Sequence, residues 1–453
     1  MSRPPQLPYR LLPVIAALAT ALVIGCGSDP SEEPERALTT DVSAIRKVDN
    51  GPIRTIDHYV HHVSTVDANY GKHVKLFVRE KVRRDLQVDP DVDGDGGDDV
   101  ESSAGRKGRL PVVLMIGGAT TPAVALFDVP FKDYSWMTYL AEAGFDVFAM
   151  DLTGYGFSPR PAMDDPCNAS VAQQEQFLVP HILAHVCPPS YAFKMAIQSD
   201  WDEMDTVVDY LRKSRRVDRV SLVGWSRAGP RIGGYTARHG EKVEKLVLYS
   251  PAMYDRARLP DPPEQLPEPG VLMQLQSVDG FFANWDNNWN DRPGHRRPEI
   301  PTECDPFESP IRDVLGWSLL QSDPLGSTWG NPLGTFWGRK GVFRAPVPNT
   351  LWGWNATDAG KITAPTLIIR GLHDNQAVEG LQRLLFADLK ATQKVFARVA
   401  CAGHQLLFEN QHMTLLRRSE KWLRDGTFFV DALGSYVDRG PYSVNAQGLA
   451  SPE

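Results

Sequence analysis

Residues 219–229 read Arg219-Val220-Ser221-Leu222-Val223-Gly224-Trp225-Ser226-Arg227-Ala228-Gly229. Val220, Leu222 and Val223 form the kind of apolar run that fills a buried strand. Gly224 stands two positions before a serine, Ala228 and Gly229 stand just after it, and a helical stretch follows. Small side chains at those places let a strand turn sharply into a helix. They also allow a strained backbone at the intervening residue and close packing of helix on strand. The Ser226 hydroxyl is then pushed out above the end of a sheet, at a helix N-terminus whose N–H groups face incoming negative charge. The pattern is G-x-S-x-G with Ala228 in the last place, where Ala fits if its φ is negative.

A neutral hydroxyl is a weak nucleophile. It needs a base within hydrogen-bond reach, and the base needs a third group to fix its tautomer. Downstream, Ala364–Asp374 reads as a buried strand ending in a turn that carries an acid, and Val399–His404 as a further strand ending in histidine. The chain order is Ser226, Asp374, His404. Asp255, after the strand 245–250, is the alternative acid; Asp374 is preferred because its strand is nearer the histidine in sequence. Donors for a developing oxyanion are expected from the Arg227 N–H and from the turn Ile116-Gly117-Gly118-Ala119, with Gly118 first choice and Ala119 second. Loss of one such donor typically raises the barrier by about 3 kcal/mol. Trp225, beside the serine, is the expected substrate contact.

With these residues in place the chain resembles the α/β-hydrolases, from about Asp57 to Thr427. Asp151-Leu152-Thr153-Gly154-Tyr155-Gly156-Phe157-Ser158 is similar to the family's D-x-x-G-x-G-x-S loop, and Lys361–Leu367 to its lead-in to the acid strand. The resemblance implies an α/β fold: a mostly parallel central sheet with helices on both faces and an inserted cap. It also implies a Ser-His-Asp serine hydrolase acting on a carboxylic ester, small or lipid-like, with no metal or organic cofactor. Amide or iminopeptide, lactone and C–C bonds are open to the same triad, and a non-catalytic binding module is the remaining alternative. Many members carry His-Gly where this chain has Ile116-Gly117, and that His helps to hold the oxyanion loop.

Arg3 and Arg10 precede an apolar run over residues 11–25, too short for a comfortable membrane span and suited to a signal peptide. It ends Leu22-Val23-Ile24-Gly25-Cys26, which resembles a bacterial lipobox and implies lipidation of Cys26. The expected location is the cell envelope, lipid-anchored with the outer membrane preferred, or periplasmic or secreted. Four of the five cysteines remain, an even number in an oxidising compartment. Cys167–Cys187 and Cys304–Cys401 are the expected pairs. The formal charge is −8, and leaving off residues 1–25 removes two arginines and no acid, giving about −10. That balance, with no basic stripe, argues against a nucleic-acid partner. Oligomeric state is not legible.

The expected layout is a signal peptide over 1–25, a tether over 26–56, a catalytic domain over 57–251 and 359–436, a cap over 252–358 and a loose tail over 437–453. Segments 58–66 and 73–82 read as a hairpin, 134–144 and 200–211 as helices. Asp89-Pro90-Asp91-Val92-Asp93-Gly94-Asp95 approaches a calcium loop, but position twelve is Val100, so a solvated loop is expected. His181 and His185 are four apart with no third ligand. The cap is rich in Trp, including Trp285, Trp289, Trp317, Trp329, Trp337, Trp352 and Trp354. Most are expected in its core and some along the pocket.

Overall fold

The computed structural model describes residues 46–86 and 109–428, except 265, 293–294, 301, 303, 331–340 and 350–351, together with three short strands between 436 and 452. The leader, Cys26, the acidic tract 89–101 and Trp337 lie outside the described residues.

In chain order the elements are β1 (Arg46–Asn50), β2 (Ile53–Val63), β3 (His73–Arg83), β4 (Val112–Ile116), α1 (Ala123–Phe127), α2 (Trp136–Glu142), β5 (Asp146–Asp151), α3 (Ile197–Arg215) and β6 (Val220–Trp225). A π turn, Gly229–Gly233, then runs into α4 (Gly234–Arg238), and β7 (Val243–Tyr249) follows. The insertion contributes β8 (Met273–Ser277), α5 (Val278–Asp286), α6 (Ser309–Gln321) and β9 (Val342–Pro346). The chain returns through β10 (Thr366–Gly371), α7 (Glu379–Asp388), β11 (Lys394–Val399) and α8 (His412–Asp425), then β12 (Tyr436–Arg439), β13 (Tyr442–Val444) and β14 (Ala450–Pro452).

One twelve-stranded sheet runs β1-β2-β3-β5-β4-β6-β7-β10-β11-β12-β13-β14. Its centre, from β5 through β4, β6, β7 and β10 to β11, is parallel, and both flanks are antiparallel. The expected hairpin is β2–β3, with Ile53 opposite Arg83 and Val63 opposite His73. Residues 46–56, read as the end of a tether, instead supply β1 and the start of β2. Part of the stretch read as a loose tail joins the other edge, where Phe396 pairs with Asp438.

Strand residues alternate between two cores, as a pleated sheet covered on both faces requires. Val113, Met115, Val147, Ala149, Val223 and Val247 face a core shared with α1, α2, α8 and the cap. Val112, Leu114, Ile116, Phe148, Leu222 and Leu246 face one shared with α3 and α4. The central parallel register brings the C-terminal ends of the strands level. Ile116 lies beside Gly224, Trp225 beside Tyr249, Ile369 beside Tyr249 and Gly371 beside Val399. The loops leaving β4, β6, β10 and β11 therefore open on one edge.

The insertion is anchored by polar contacts. β8 and β9 pair antiparallel, with Ser277 opposite Val342. Arg344 on β9 is buried and donates to Asp323 Oδ1 at 2.7 Å and to the Met163 carbonyl at 2.8 Å. Arg160 donates to the Arg344 carbonyl at 3.0 Å and to the Gly154 carbonyl at 2.6 Å, so it joins the insertion to the loop after β5. Asp151 closes that loop: its carboxylate accepts from the N–H groups of Val124 and Phe157, and the Ser158 hydroxyl donates to its carbonyl. The D-x-x-G-x-G-x-S residues thus brace the scaffold. Both expected disulfides are present, and Cys304–Cys401 ties the insertion to the loop carrying His404.

Candidate active site

The turn after β6 has the strain its sequence called for. Ser226 has φ 55°, in the left-handed region. Its N–H donates to the Tyr249 carbonyl at 3.0 Å, and its carbonyl accepts from Gly229 N at 3.0 Å and Ala252 N at 2.9 Å. A Cβ on Gly224 would stand 2.7 Å from Ala228 Cβ and 2.8 Å from Ile232 Cδ1, so only glycine lets the following helix cross so closely. Ala228 has φ −67°, which is why alanine serves in the last place.

Three side chains distant in sequence meet above this turn. His404 Nε2 lies 2.9 Å from Ser226 Oγ, and His404 Nδ1 lies 3.0 Å from Asp374 Oδ2. Asp374 Oδ1 accepts from the N–H groups of Gln376 and Ala377, both at 3.0 Å, which fixes the carboxylate plane. Burial would raise the Asp374 pKa, but His404, Arg370 and the Ala377 N–H hold it below the usual carboxylate range. Asp374 is therefore an anion at neutral pH, facing the imidazole. Asp255, the alternative acid, is exposed and accepts from Ala257 N, away from the relay.

The His404 loop is held from every side. The Trp225 indole N–H and the Tyr249 hydroxyl both donate to the His404 carbonyl, at 3.0 and 2.6 Å. Asn288 Oδ1 accepts from His404 N at 3.3 Å. Glu409 Oε2 accepts from Gly403 N at 2.6 Å, and its Oε1 accepts from Trp285 Nε1 at 2.9 Å and Trp289 Nε1 at 3.1 Å. Burial pushes the Glu409 carboxyl up to about 8, against the pull of those three N–H groups. On the acid side, Arg370 donates to the carbonyls of Asp374 and Gly371 and to Glu379.

Trp225 has a further task beside the one expected of it. It borders the cavity but is 3 % exposed; its ring stacks on Tyr249 and packs against His404 and Phe408, and its N–H is spent on the His404 carbonyl. It thus lines the cavity with one edge and positions the histidine through its N–H. Gly118 does sit against the serine: a Cβ built there would stand 3.4 Å from Ser226 Cβ and 3.1 Å from the Trp225 carbonyl. Ala119 and Arg227 line the same cavity.

The sequence reading missed Arg231. It lies on the π turn one helical turn past the serine and is buried. It donates to the carbonyls of Gly117 and Gly118 at 2.9 and 3.0 Å, to Tyr155 Oη at 2.8 Å and to Asp200 at 2.8 Å. It holds the Gly117–Gly118 turn through those two carbonyls. The only hint in the sequence is a cation inside the small and apolar run Pro230-Arg231-Ile232-Gly233. Glu409 follows His404 by five residues, but its tryptophan partners lie more than a hundred residues away.

The cavity over Ser226 has a volume of about 200 Å3 and is bordered by Ser226, His404, Arg227 and Phe281 with five carboxamide side chains. None of the described cap tryptophans borders it: Trp285 and Trp289 point to Glu409, and Trp317 is 57 % exposed on the rim of a separate groove. That groove is larger, about 710 Å3, but holds no member of the relay. Among the described residues no group of three or more His, Cys, Asp or Glu side chains could hold a metal ion, and no helix is long and apolar enough to cross a membrane.

The sequence profile of a family described as alpha/beta hydrolase fold matches residues 111–295, which carry β4, the Ser226 turn and the start of the insertion. The chain has the α/β-hydrolase fold. Similar solved structures include a thermophilic esterase from Thermogutta terrifontis, with 13 % identity, TM-score 0.42, and 81 % of this chain and 98 % of that chain covered. A monoacylglycerol lipase from Paleococcus ferrophilus has 17 % identity, TM-score 0.39, and 70 % and 96 % covered. An esterase from Exiguobacterium antarcticum has 13 % identity, TM-score 0.39, and 81 % and 99 % covered. At these values the likeness says nothing of substrate. No curated protein matches the chain.

Proposed function

We propose that this α/β-hydrolase-fold chain is a serine hydrolase that cleaves a carboxylic ester through an acyl-enzyme. The relay Ser226–His404–Asp374, with its 2.9 and 3.0 Å links, carries the reading. His404 Nε2 takes the proton as Ser226 Oγ attacks the ester carbonyl carbon, and the carbonyl π electrons move to oxygen. The N–H groups of Arg227 and Gly118 are assigned to that oxyanion. Collapse breaks the C–O bond, and the alcohol leaves with the proton from His404. Water, deprotonated by the same nitrogen, then releases the acid. Asp374, kept ionised, stabilises the imidazolium in both halves.

Incubation with a fluorophosphonate probe tests this. Labelling at Ser226, lost in Ser226→Ala, supports it; folded protein that stays unlabelled overturns it. A panel of ester, anilide and lactone substrates identifies the bond. The proposal also puts the enzyme at the bacterial envelope, anchored by a lipid on Cys26. Two disulfides fit an oxidising compartment. The mass of the N-terminal peptide from the mature protein checks the anchor.

A further inference from the structure

The wall of the Ser226 cavity has an unusual chemistry for a site that would take a lipid. Ala119, Phe281 and the Trp225 edge are its main apolar contributions. Gln274, Gln276, Asn284, Gln376 and Gln405 also line it, with Arg227 beside the serine. No Asp or Glu does. Its volume of about 200 Å3 is below the roughly 300–1,000 Å3 of pockets for drug-sized ligands.

Several of these groups lack partners within the described chain. The half-buried Arg227 makes no hydrogen bond or ion pair among the described residues, although most other half-buried or buried arginines do. The Gln274 carboxamide makes no hydrogen bond at either end, and its Nε2 is buried. Gln405 is 2 % exposed, and its Oε1 accepts from Asn288 Nδ2 at 2.8 Å and Gln376 Nε2 at 3.3 Å. A half-buried cation and an unsatisfied amide are both unfavourable unless something answers them. A group rich in acceptors and carrying negative charge answers both.

We infer that the substrate is a small ester bearing a carboxylate, which Arg227 pairs with while the carboxamides of Gln274 and Gln405 orient the rest. This inference rests on the Ser226 reading and deepens it. It narrows the sequence expectation, which admitted lipid-like esters. The side chain of Arg227 is here a specificity group; its backbone N–H keeps its separate assignment to the oxyanion.

The test compares monomethyl succinate with methyl succinamate, its uncharged isostere, and with methyl pentanoate, by proton release from the full chain in detergent. The expected kcat/KM for the succinate ester is roughly tenfold above that for the succinamate, the value of one charge-assisted hydrogen bond over a neutral one. The ratio shrinks as salt rises. Arg227→Gln brings it close to one, and Arg227→Lys keeps part of it; because the ratio is internal to each variant, a general loss of rate cancels. Equal rates in the wild type, a preference for methyl pentanoate, or a ratio unchanged in Arg227→Gln overturns the inference. Failure of all esters together with no fluorophosphonate labelling sinks the serine reading instead. Calorimetry of succinate with the Ser226→Ala protein then decides the anion site alone: binding lost in Ser226→Ala/Arg227→Gln supports it, and no binding refutes it.

Discussion

The two walls of the Ser226 cavity are held in different ways. The scaffold wall comes from the ends of β4, β6, β10 and β11, fixed by parallel ladders and by apolar cores on both faces. The insertion wall shares one of those cores through Val278, Phe282, Ile311 and Leu315, and adds buried polar contacts and a covalent bond: Arg344 on Asp323, Trp285 and Trp289 on Glu409, and Cys304–Cys401. A ladder with a dry core sets atomic positions tightly and tolerates little change. Ion pairs and hydrogen bonds hold a segment just as firmly while complete, but fail sharply when one partner is removed. On the proposed reading, chemistry belongs to the first wall, and both walls share substrate choice: Arg227 and Gln405 from the scaffold, Gln274 from the insertion.

Damage to the scaffold wall is expected to cost the most turnover. Ser226→Ala should lower kcat by about 10^5–10^6-fold, with the melting temperature nearly unchanged; residual activity near wild type would end the serine assignment. Asp374→Asn should follow at about 10^4-fold, because the imidazole is left in the wrong tautomer. A small loss there would point to another acid.

Arg231→Met probes the prop under the Gly117–Gly118 turn. It removes two donors to that turn and leaves Asp200 buried and unpaired, so a stability loss of about 3–5 kcal/mol is expected in urea melts. Protein folded in the cold should show kcat down by about 10^2-fold, the value of a misplaced oxyanion donor. Normal kcat would mean that the turn holds itself.

Asp323→Asn probes the other wall. Burial alone would raise the Asp323 pKa, but the hydrogen bonds and charge of Arg344, with Arg160, hold it below the usual range. Its contribution to stability is therefore present above the ordinary carboxylate pKa and lost as pH falls through the depressed folded value. The variant should lose about 3 kcal/mol or more and this acid limb. Fluorophosphonate labelling of Ser226 should survive while KM shifts; loss of labelling in folded protein would show that the walls are not separable.

Glu409 touches both walls and should have the smallest effect on turnover, under about tenfold, since it acts only through backbone position. Its sign is opposite to that of Asp323. The folded pKa is raised from 4.5 to about 8, so the stability it gives is complete below the ordinary value and is lost as pH rises to about 8. Melting temperature should fall across that window in the wild type and less steeply in Glu409→Gln. Parallel slopes would place the pH dependence elsewhere.

Legibility in the sequence followed the same division. The Ser226 turn could be read because strain demands small residues at fixed offsets, and Gly224 and Ala228 are those residues. Both cysteine pairings were readable as well, because few alternatives existed. The contacts of the insertion were not: an arginine meets its aspartate, or an indole its carboxylate, only after the chain has returned from far away. The place of Trp225 in the motif was legible; its hydrogen bond to the His404 carbonyl was not.

Local backbone chemistry was decided by the sequence alone: where strands run, where the chain must turn sharply, and which hydroxyl, imidazole and carboxylate end those strands. The tertiary structure decided what each of those ends faces. Sheet register, which depends on pairings between segments remote in the chain, brings the relay to 2.9 and 3.0 Å, seats Arg231 under the glycine turn, and surrounds the serine with amides and a guanidinium that has no partner among the described residues. A side chain's partners are a property of space, and no local pattern encodes them.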